Sequence, residues 1–332
     1  MRAMVLRRQA PLATRPLIPS DLPDPVPGPG EIVLRVAACG VCRTDLHVIE
    51  GDLPARRLPL VPGHQIVGVV ESLGPGSARF RIGERAGVAW LRATCGACAD
   101  CASGRENLCG ASLYTGWDAD GGYAERAIVP EAFAYALPPA LADAEAAPLL
   151  CAGIIGYRAL RRSRIEPGGR LGLYGFGSSA HIVAQIARHR GCALYVATRG
   201  EAHRRLAEEL GAVWTGDATD TPPVPLDAAI VFAPSGALVP SALRALAKGG
   251  TLALAGIHMS DLPAMDYASC LFHEKTLTSV ESNTRADGEA LLAEAASIPI
   301  APQVTTFPLA EANEVLRALA GDGVCGTAVL LS

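Results

Sequence analysis

From about residue 152 the sequence alternates between short apolar runs and amphipathic segments, and this alternation limits the possible folds more than any other feature. Apolar runs such as RLGLYGFG, CALYVAT, DAAIVFAP and TLALAGI are separated by helix-like segments such as SSAHIVAQIARHRG and ALVPSALRALAKGG. Strands that alternate with amphipathic helices form a parallel sheet covered by helices on both faces. The pattern therefore predicts a doubly wound α/β domain.

The sequence before this region has a different character. Runs such as EIVLRVAAC, IVGVVESLG and YAERAIVP resemble strands and are separated by proline- and glycine-rich turns. After about residue 272, the strand KTLTSV, a helix near DGEALLAEAA and the ending TAVLLS do not extend the alternation. We therefore expect a β-rich domain formed by residues 1–151 and 273–332, and an inserted α/β domain formed by residues 152–272.

Charge and hydropathy exclude two kinds of partner. The net charge of −4 includes no block of like charges, so the basic surface that nucleic acid requires is absent from the pattern. The N-terminal residues lack the apolar core of a signal peptide, and no run of about 18 apolar residues follows. We expect a cytoplasmic protein that binds neither nucleic acid nor membrane.

A cluster of cysteines lies in the stretch TCGACADCASGRENLC. Its members are Cys95, Cys98, Cys101 and Cys109. In a reducing cytoplasm clustered thiols favour metal binding over disulfides, and the spacing CxxCxxCx7C provides the closed four-sulfur donor set of structural zinc. Free thiols and an iron–sulfur cluster are the alternatives. We favour a zinc ion bound by a lobe at residues 94–110.

The stretch LGLYGFGSSAH places a glycine-rich turn between a strand and a helix. Gly175, Gly177 and Ala180 form the pattern GxGxxA. The first glycine allows a tight turn, the second lets a pyrophosphate approach the backbone, and the third small residue packs the helix on the sheet. The stretch predicts a dinucleotide site, with a plain glycine turn as the alternative.

The next strand ends in Thr198 and Arg199, where an acidic residue would favour a free ribose hydroxyl. A threonine hydroxyl and a guanidinium group can both bind a 2'-phosphate, so we expect NADP(H) to be preferred over NAD(H). Two alternatives to this preference remain. Arg199 could be an ordinary solvated surface residue, or Glu201 could bind the ribose hydroxyl of NAD(H). His181, just after the turn, is expected on the helix surface or beside the cofactor.

Several further motifs occur in a fixed order: PGPGEIVLRV, GVCRTDLH, PGHQIVGVV, CAGIIGYRAL and PLAEANEVL. With these motifs the chain resembles the zinc-dependent alcohol dehydrogenases of the medium-chain dehydrogenase/reductase superfamily over nearly its whole length. The resemblance implies a GroES-like catalytic domain, a Rossmann cofactor domain and assembly as a homotetramer or homodimer. It implies hydride transfer between a nicotinamide cofactor and a small or medium primary or secondary alcohol, or the matching carbonyl compound.

The resemblance also implies a second, catalytic zinc ion, and therefore two ions per chain. Its ligands would be Cys42, His64 and Cys151, with the fourth position open, as hydride chemistry on an alcohol requires. A zinc-free reductase is disfavoured by the presence of all three. The remaining cysteines, which include Cys325, are expected to be packing residues.

Further roles follow from the same resemblance. Thr44 and His47 would pass the alcohol proton through the cofactor ribose towards solvent. Asp45 would orient the ligand His64 through its other ring nitrogen. Arg43 would contact the cofactor pyrophosphate. A plain helix start with an aspartate cap and a surface histidine is the alternative interpretation.

The sequence departs from the family pattern at two positions. Gln65 follows the ligand histidine where the family usually has glutamate, so we expect slower turnover or a more electrophilic zinc. Thr327 occupies a position where relatives often have an arginine, and we expect weaker cofactor binding.

The resemblance also implies that Leu53 and Trp90 lie in the substrate pocket, with Trp117 and Tyr114 as further contributors. For Trp117 and Tyr114, packing in the core or in a loop is the alternative. Such apolar walls suit an aliphatic or aromatic alcohol. Two other functions remain open. The first is a polyol, threonine or formaldehyde-type dehydrogenase, and the second is a non-catalytic, cofactor-binding redox sensor.

Overall fold

The chain divides into two units. The computed structural model describes residues 1–256, 258–321, 323–324 and 326–332, so Cys325 lies outside the described residues. One unit contains Met1–Cys151, Thr284–Ser297 and Pro302–Ser332, and the other contains Ala152–Asn283 and Ile298–Ala301.

The elements before residue 152 are mostly short strands. The strands are β1 (Arg2–Leu6), β2 (Leu17–Asp21), β3 (Glu31–Val41), β4 (Gln65–Leu73), β5 (Arg85–Val88), β6 (Leu91–Ala93), β7 (Leu113–Tyr114), β8 (Arg126–Pro130) and β9 (Ala134–Ala136). The α-helices are α1 (Arg43–Glu50), α2 (Ala99–Ala102) and α3 (Asp143–Pro148). A π-helical segment, Leu149–Gly153, follows α3.

Strands and helices then alternate through the second unit. The elements are α4 (Ile154–Arg162), β10 (Arg170–Tyr174), α5 (Ser178–His189), β11 (Ala193–Ala197), α6 (Glu201–Glu209), β12 (Ala212–Gly216), β13 (Leu226–Val231), α7 (Val239–Ala245), β14 (Leu246–Leu254), α8 (Tyr267–Cys270) and β15 (Thr276–Ser279). The chain ends with α9 (Arg285–Ala295), β16 (Val304–Pro308), α10 (Ala312–Ala320) and β17 (Thr327–Leu331). Among the described residues, none of the helices has the length and apolar character that a bilayer crossing requires.

The first unit is built on a seven-stranded sheet centred on β3. The strand order is β16-β17-β3-β4-β5-β9, with β8 also paired to β3, and every pairing except β16–β17 is antiparallel. β3 is rich in β-branched and aliphatic residues and is mostly buried, as expected for a central strand. Gly40 of β3 pairs with Gln65 of β4, so the end of β3 lies beside the start of β4. This register brings the residues after β3 close to the residue before β4.

The second unit is a six-stranded parallel sheet in the order β12-β11-β10-β13-β14-β15. The chain leaves β10 towards β11 on one side and reaches β13 on the other. Because parallel crossovers are right-handed, α5 and α7 lie on opposite faces of the sheet. The predicted doubly wound α/β architecture is confirmed, and its direction reverses at β10, where ligands bind in such sheets.

The second unit extends further along the chain than the sequence led us to expect. The run KTLTSV contains β15, which was expected to return to the first domain. It instead pairs in parallel with β14, so residues 273–283 belong to the second unit. The four-residue strand is half-buried at the sheet edge, and a strand of this kind has too weak an apolar pattern to indicate its sheet. The later α9 and β17 lie in the first unit.

Candidate metal and cofactor sites

Three residues of the first unit bring their donor atoms together. His64 Nε2 lies 3.3 Å from Cys42 Sγ and 3.3 Å from Cys151 Sγ. All three donor atoms lie within 4.8 Å of one another, which is close enough for one metal ion to contact them all. Cys42 is the N-cap residue of α1, His64 precedes β4, and Cys151 lies in the π-helical segment. Two sulfurs and one imidazole form a donor set that suits zinc and leaves a fourth position open.

Asp45 fixes the orientation of the His64 ring. Its Oδ1 atom lies 3.1 Å from His64 Nδ1, while Oδ2 accepts hydrogen bonds from the Cys42 amide at 2.9 Å and the Tyr123 hydroxyl at 3.1 Å. The amide contact belongs to a capping box at the start of α1. With Nδ1 directed at a carboxylate, Nε2 is the ring nitrogen that faces the two sulfurs and is available to a metal ion.

Tyr123 is a contributor that the sequence reasoning missed. Its side chain is fully buried, and burial raises the pKa of its hydroxyl, which therefore remains a donor to Asp45. The motif GGYAER was interpreted only as part of a strand, and no spacing signal distinguishes Tyr123 from an ordinary core tyrosine.

The charges in this cluster favour the protonated form of the His64 imidazole in the absence of a metal. Burial opposes protonation of His64, but the Cys42 thiolate and the Asp45 carboxylate outweigh it and raise the pKa of His64 to about 10. The Cys151 thiol holds the pKa of Cys42 well below its usual value. A metal ion would therefore displace a proton from the imidazole as it binds.

Gln65 has an unusual environment beside this cluster. Its side chain is fully buried, and neither Oε1 nor Nε2 has a hydrogen-bond partner among the described residues. A buried amide without partners is energetically costly. The residue therefore lacks the hydrogen bonds that usually accompany a purely structural amide.

Three aromatic rings stack beside His64. The Trp90 ring packs edge-on against His64 with centroids 5.0 Å apart, and it stacks on Tyr114 at 5.0 Å and on Trp117 at 5.8 Å. Leu53 packs against the same apolar core. The structure thus brings the three expected aromatic residues together beside His64.

Arg56 covers the outer ring of this stack. Its guanidinium carbon lies 3.8 Å from the centre of the Trp117 ring, and Nη1 donates to both carboxylate oxygens of Asp118 at 3.1 and 3.2 Å. Asp118 Oδ2 also accepts from the Tyr114 amide, and the Trp117 indole donates to the carbonyl of Pro54. These contacts order the stack.

The remaining predicted residues of GVCRTDLH lie on α1. Thr44 is buried, and its amide donates to Cys42 Sγ at 3.4 Å. His47 is partly exposed and its Nδ1 atom lies 2.8 Å from Asp52 Oδ2. Arg43 is exposed in the first turn of the helix. Thr44 and His47, three residues apart, lie on adjacent positions of one helix face.

The cysteine cluster at residues 95–109 also converges. All four sulfurs lie within 4.8 Å of one another, with Cys95 Sγ 3.5 Å from Cys109 Sγ and 3.9 Å from Cys101 Sγ. The Cys98 amide donates to Cys95 Sγ at 3.3 Å. Backbone amides near the sulfur, those of Ala97 and Cys98, lower the pKa of Cys95 to about 6. Amide donors of this kind favour the thiolate form that metal binding needs.

The lobe is attached to the first unit by a partly buried ion pair. Glu106, which lies between the third and fourth cysteines, accepts from the Arg285 amide at 3.0 Å and from its guanidinium at 3.4 Å. Arg285 is the first residue of α9, so the contact joins the lobe to a distant part of the sequence.

The glycine-rich turn lies at the end of β10 and the start of α5. Gly175 has a φ of 88°, and a Cβ there would lie 2.9 Å from the Ala233 amide nitrogen. At Gly177 a Cβ would meet no described atom within 4 Å, so the absence of a side chain there is not explained by packing. Open space beside a helix N-terminus suits an approaching pyrophosphate. Ala180, in the first turn of α5, is fully buried, as predicted for the third position.

The two residues at the end of β11 have different environments. Thr198 is 3% exposed, and its hydroxyl lies 3.5 Å from the carbonyl of Arg199. Arg199 is exposed. The acidic alternative, Glu201, forms an i,i+4 ion pair with Arg205.

One expectation from sequence differs from the structure in part. His181 is 1% exposed, and its Nδ1 atom lies 3.3 Å from the Gly177 carbonyl, so its expected place on the helix surface is wrong. Burial lowers the pKa of His181 and keeps the ring neutral. Thr327 is buried at the start of β17.

Comparison with known proteins identifies the class. The family model "Alcohol dehydrogenase GroES-like domain" matches residues 28–139, and "Zinc-binding dehydrogenase" matches residues 180–297. The chain therefore belongs to the zinc-type alcohol dehydrogenases of the medium-chain superfamily, which are NAD(P)-dependent oxidoreductases. The expected GroES-like and Rossmann domains are confirmed.

Individual relatives agree with this class. The chain is 54% identical to the probable alcohol dehydrogenase AdhA of Mycobacterium tuberculosis, over 100% of this chain and 97% of that protein. A thermostable alcohol dehydrogenase of Pyrobaculum aerophilum with cobalt and zinc bound is 27% identical with a TM-score of 0.89, covering 100% and 99% of the two chains. An NADP-bound zinc-binding dehydrogenase of Sinorhizobium meliloti is 27% identical with a TM-score of 0.87, again covering 100% and 99%.

Proposed function

We propose that the protein oxidises small or medium primary or secondary alcohols and reduces the matching aldehydes and ketones, with zinc and a nicotinamide cofactor. The observation that carries the proposal is the convergence of Cys42, His64 and Cys151, with Asp45 hydrogen-bonded to the second nitrogen of the imidazole. Structural packing alone does not require two thiols and an imidazole to converge in this way. The family and its relatives support the same chemistry.

The donor set determines what the site can hold. The residues present fit zinc, because two thiolates and one neutral imidazole provide three of its four ligands. A bound zinc ion would supply Lewis acidity, which favours loss of the alcohol proton and polarises a carbonyl group. The Asp45 carboxylate keeps the imidazole oriented, and the amide of Thr44 stabilises the Cys42 thiolate.

We assign proton transfer to Thr44 and His47. The Thr44 side chain is buried close to Cys42, whereas His47 is partly exposed and pairs with Asp52, so the two residues lead from the buried cluster towards solvent. A bound cofactor would supply a ribose hydroxyl to this route. Gln65 would contribute a neutral buried amide beside the ligand His64.

We further propose that the cofactor binds at the glycine-rich turn and that NADP(H) is preferred. Gly175, Gly177 and Ala180 would receive the pyrophosphate, with Arg43 as an additional contact. Arg199 supports the NADP(H) preference because it is exposed at the end of β11, while Glu201 is engaged by Arg205. The buried Thr198 would have a smaller part than Arg199.

The substrate class follows from the aromatic stack. The rings of Trp90 and Trp117 provide a flat apolar wall beside His64, which suits aliphatic or aromatic alcohols, and Leu53 packs against the same hydrophobic core. The cysteine lobe would hold a second, structural zinc ion. We also propose a cytoplasmic location, since both thiolate sites need reduced cysteines, and assembly as a homotetramer or homodimer.

Steady-state kinetics test this function. The zinc-loaded protein is assayed with primary, secondary and aromatic alcohols and the matching carbonyl compounds, each with NAD(H) and NADP(H). We expect turnover, with kcat/KM higher for NADP(H). In Arg199→Gln, loss of a charged hydrogen bond of about 1.5–3 kcal/mol lowers kcat/KM for NADP(H) about 10- to 100-fold and leaves NAD(H) nearly unchanged. An equal loss with both cofactors would contradict the assignment of Arg199, and a zinc-loaded protein without turnover would contradict the function.

A further inference from the structure

The second unit carries a basic depression at the edge of its sheet. It has a volume of about 160 Å³ and is open to solvent. The residues that line it are Arg161, Arg162, Arg164, Thr276 and Thr278. Every one of these side chains carries hydrogen-bond donors, and none of them is acidic. This composition matches an anion better than any other class of ligand.

The arginines come from the end of α4 and the turn that follows it. Arg161 and Arg162 lie in the last turn of the helix, where the backbone carbonyls favour positive charge. Arg164 has a φ of 57°, a left-handed conformation that is unfavourable for a residue with a Cβ. A glycine would adopt this conformation without cost, so the backbone alone does not account for an arginine here.

The threonines come from the edge strand β15. Thr276 and Thr278 are two residues apart on a strand, so their side chains lie on the same face. The Arg162 guanidinium donates to the Thr278 hydroxyl. The hydrogen bond joins the end of α4 to β15 and fixes one wall of the depression.

The positive charge of this depression is not fully compensated. Among the described residues neither Arg162 nor Arg164 forms an ion pair, although many other arginines of the chain do. Two guanidinium groups without carboxylate partners, beside two hydroxyl groups, leave several donors for one ligand.

We propose that this depression binds a phosphate-type anion, either inorganic phosphate or the phosphoryl group of a small phosphomonoester. The guanidinium groups of Arg162 and Arg164 would donate to its oxygens, and the Thr276 hydroxyl would complete the contact. This site goes beyond the proposed dehydrogenase function and does not depend on it.

The site is separate from the glycine-rich turn. In the sheet register, Thr276 of β15 pairs with Thr251 of β14. Followed across β13, the same row of paired residues reaches Leu171 near the start of β10. Gly175 follows the other end of β10, and β15 lies three strands away, which corresponds to about 14 Å across the sheet. The cofactor pyrophosphate would therefore not occupy this depression.

Thermal unfolding with inorganic phosphate tests the proposal. A ligand that binds only the folded protein raises the melting temperature, by about 1–2 °C for a protein of this size at several times Kd, and the rise grows with the logarithm of the ligand concentration. We compare phosphate with chloride at equal ionic strength. The test variant is Arg162→Gln combined with Arg164→Gln. Arg199→Gln reports binding at the cofactor site, and Arg244→Gln, an exposed arginine of α7, reports a general effect of charge.

We expect the wild-type protein and both single variants to show the phosphate-specific rise, and the double variant to lose it. Isothermal titration with phosphate should give one saturable site that the double variant lacks. The proposal is overturned if phosphate acts no more strongly than chloride. It is equally overturned if the double variant keeps the rise, or if Arg199→Gln or Arg244→Gln abolishes it.

Discussion

At the scale of single residues, the proposed metal cluster depends on side chains that contact the proposed ligands without being ligands themselves. Asp45 accepts three hydrogen bonds, from the Cys42 amide, the Tyr123 hydroxyl and the His64 ring. The resemblance to the family indicated Asp45, whereas Tyr123 was missed, because a buried tyrosine in a strand-like run gives no signal of its partner. The local helix motif was thus predictable, and the long-range contact was not.

Removal of the Asp45 charge should weaken metal binding. In Asp45→Asn the His64 ring loses its carboxylate partner, so we expect the affinity of the site for zinc to fall about 10- to 100-fold. Zinc content after dialysis against a graded series of chelator concentrations measures this. Asp52→Asn, which removes the exposed partner of His47, is the matched control and should keep full zinc content. Equal zinc loss in the two variants would refute the role of Asp45.

Gln65 should control the dependence of stability on zinc. In Gln65→Glu a carboxylate replaces a fully buried amide that has no partner among the described residues. Without zinc the buried charge lowers the free energy of unfolding by about 1–3 kcal/mol, whereas bound zinc offsets this cost. We expect a larger difference in melting temperature between zinc-loaded and chelated protein than in wild type.

A neutral variant provides the control for Gln65. Gln65→Met removes both unpartnered polar atoms without adding charge, so its melting temperature should not fall and its zinc dependence should match wild type. If Gln65→Glu and Gln65→Met respond to zinc in the same way, charge at this position has no effect on the metal.

At the scale of elements, β3 and β4 place the cluster and the glycine-rich turn places the proposed cofactor site. The alternation of apolar runs and amphipathic helices was enough to predict the parallel sheet from β10 to β14. The same alternation did not predict that β15 belongs to this sheet. β15 is a half-buried edge strand of four residues, and only its pairing with β14 assigns it to the sheet. Cysteine spacing predicted the lobe, because four ligands for one ion require short, regular separations.

The lobe should unfold locally when its metal is removed. In Cys98→Ser combined with Cys101→Ser the sulfurs no longer enclose an ion, and we expect one zinc ion per chain in place of two. The metal contributes about 10 kcal/mol or more in small zinc domains, so residues 94–110 should become sensitive to proteases. Limited proteolysis with mass spectrometry locates the cleavage. The control is Cys192→Ser, which changes a buried cysteine outside both clusters, and this variant should remain resistant to proteases. Cleavage of the double variant outside residues 94–110 would contradict a local role of the metal.

At the scale of the whole molecule, the chain combines a β-rich unit that carries both proposed metal sites with an α/β unit of the Rossmann type, and each unit has its own sheet and core. The sequence predicted both architectures, since strand and helix periodicity are local properties. The aromatic stack from Trp90 to Trp117 and the cover of Arg56 depend on tertiary contacts, and only the pocket membership of the rings was expected.

The central claim is that Cys42, His64 and Cys151 together hold the zinc ion that supports alcohol oxidation. The most direct measurement is zinc per chain together with turnover for Cys42→Ser, beside the wild-type protein. We predict two zinc ions and activity in the wild type, and one zinc ion, an intact fold by circular dichroism and turnover reduced at least about 1000-fold in the variant. Two zinc ions or undiminished turnover in the variant would contradict the account.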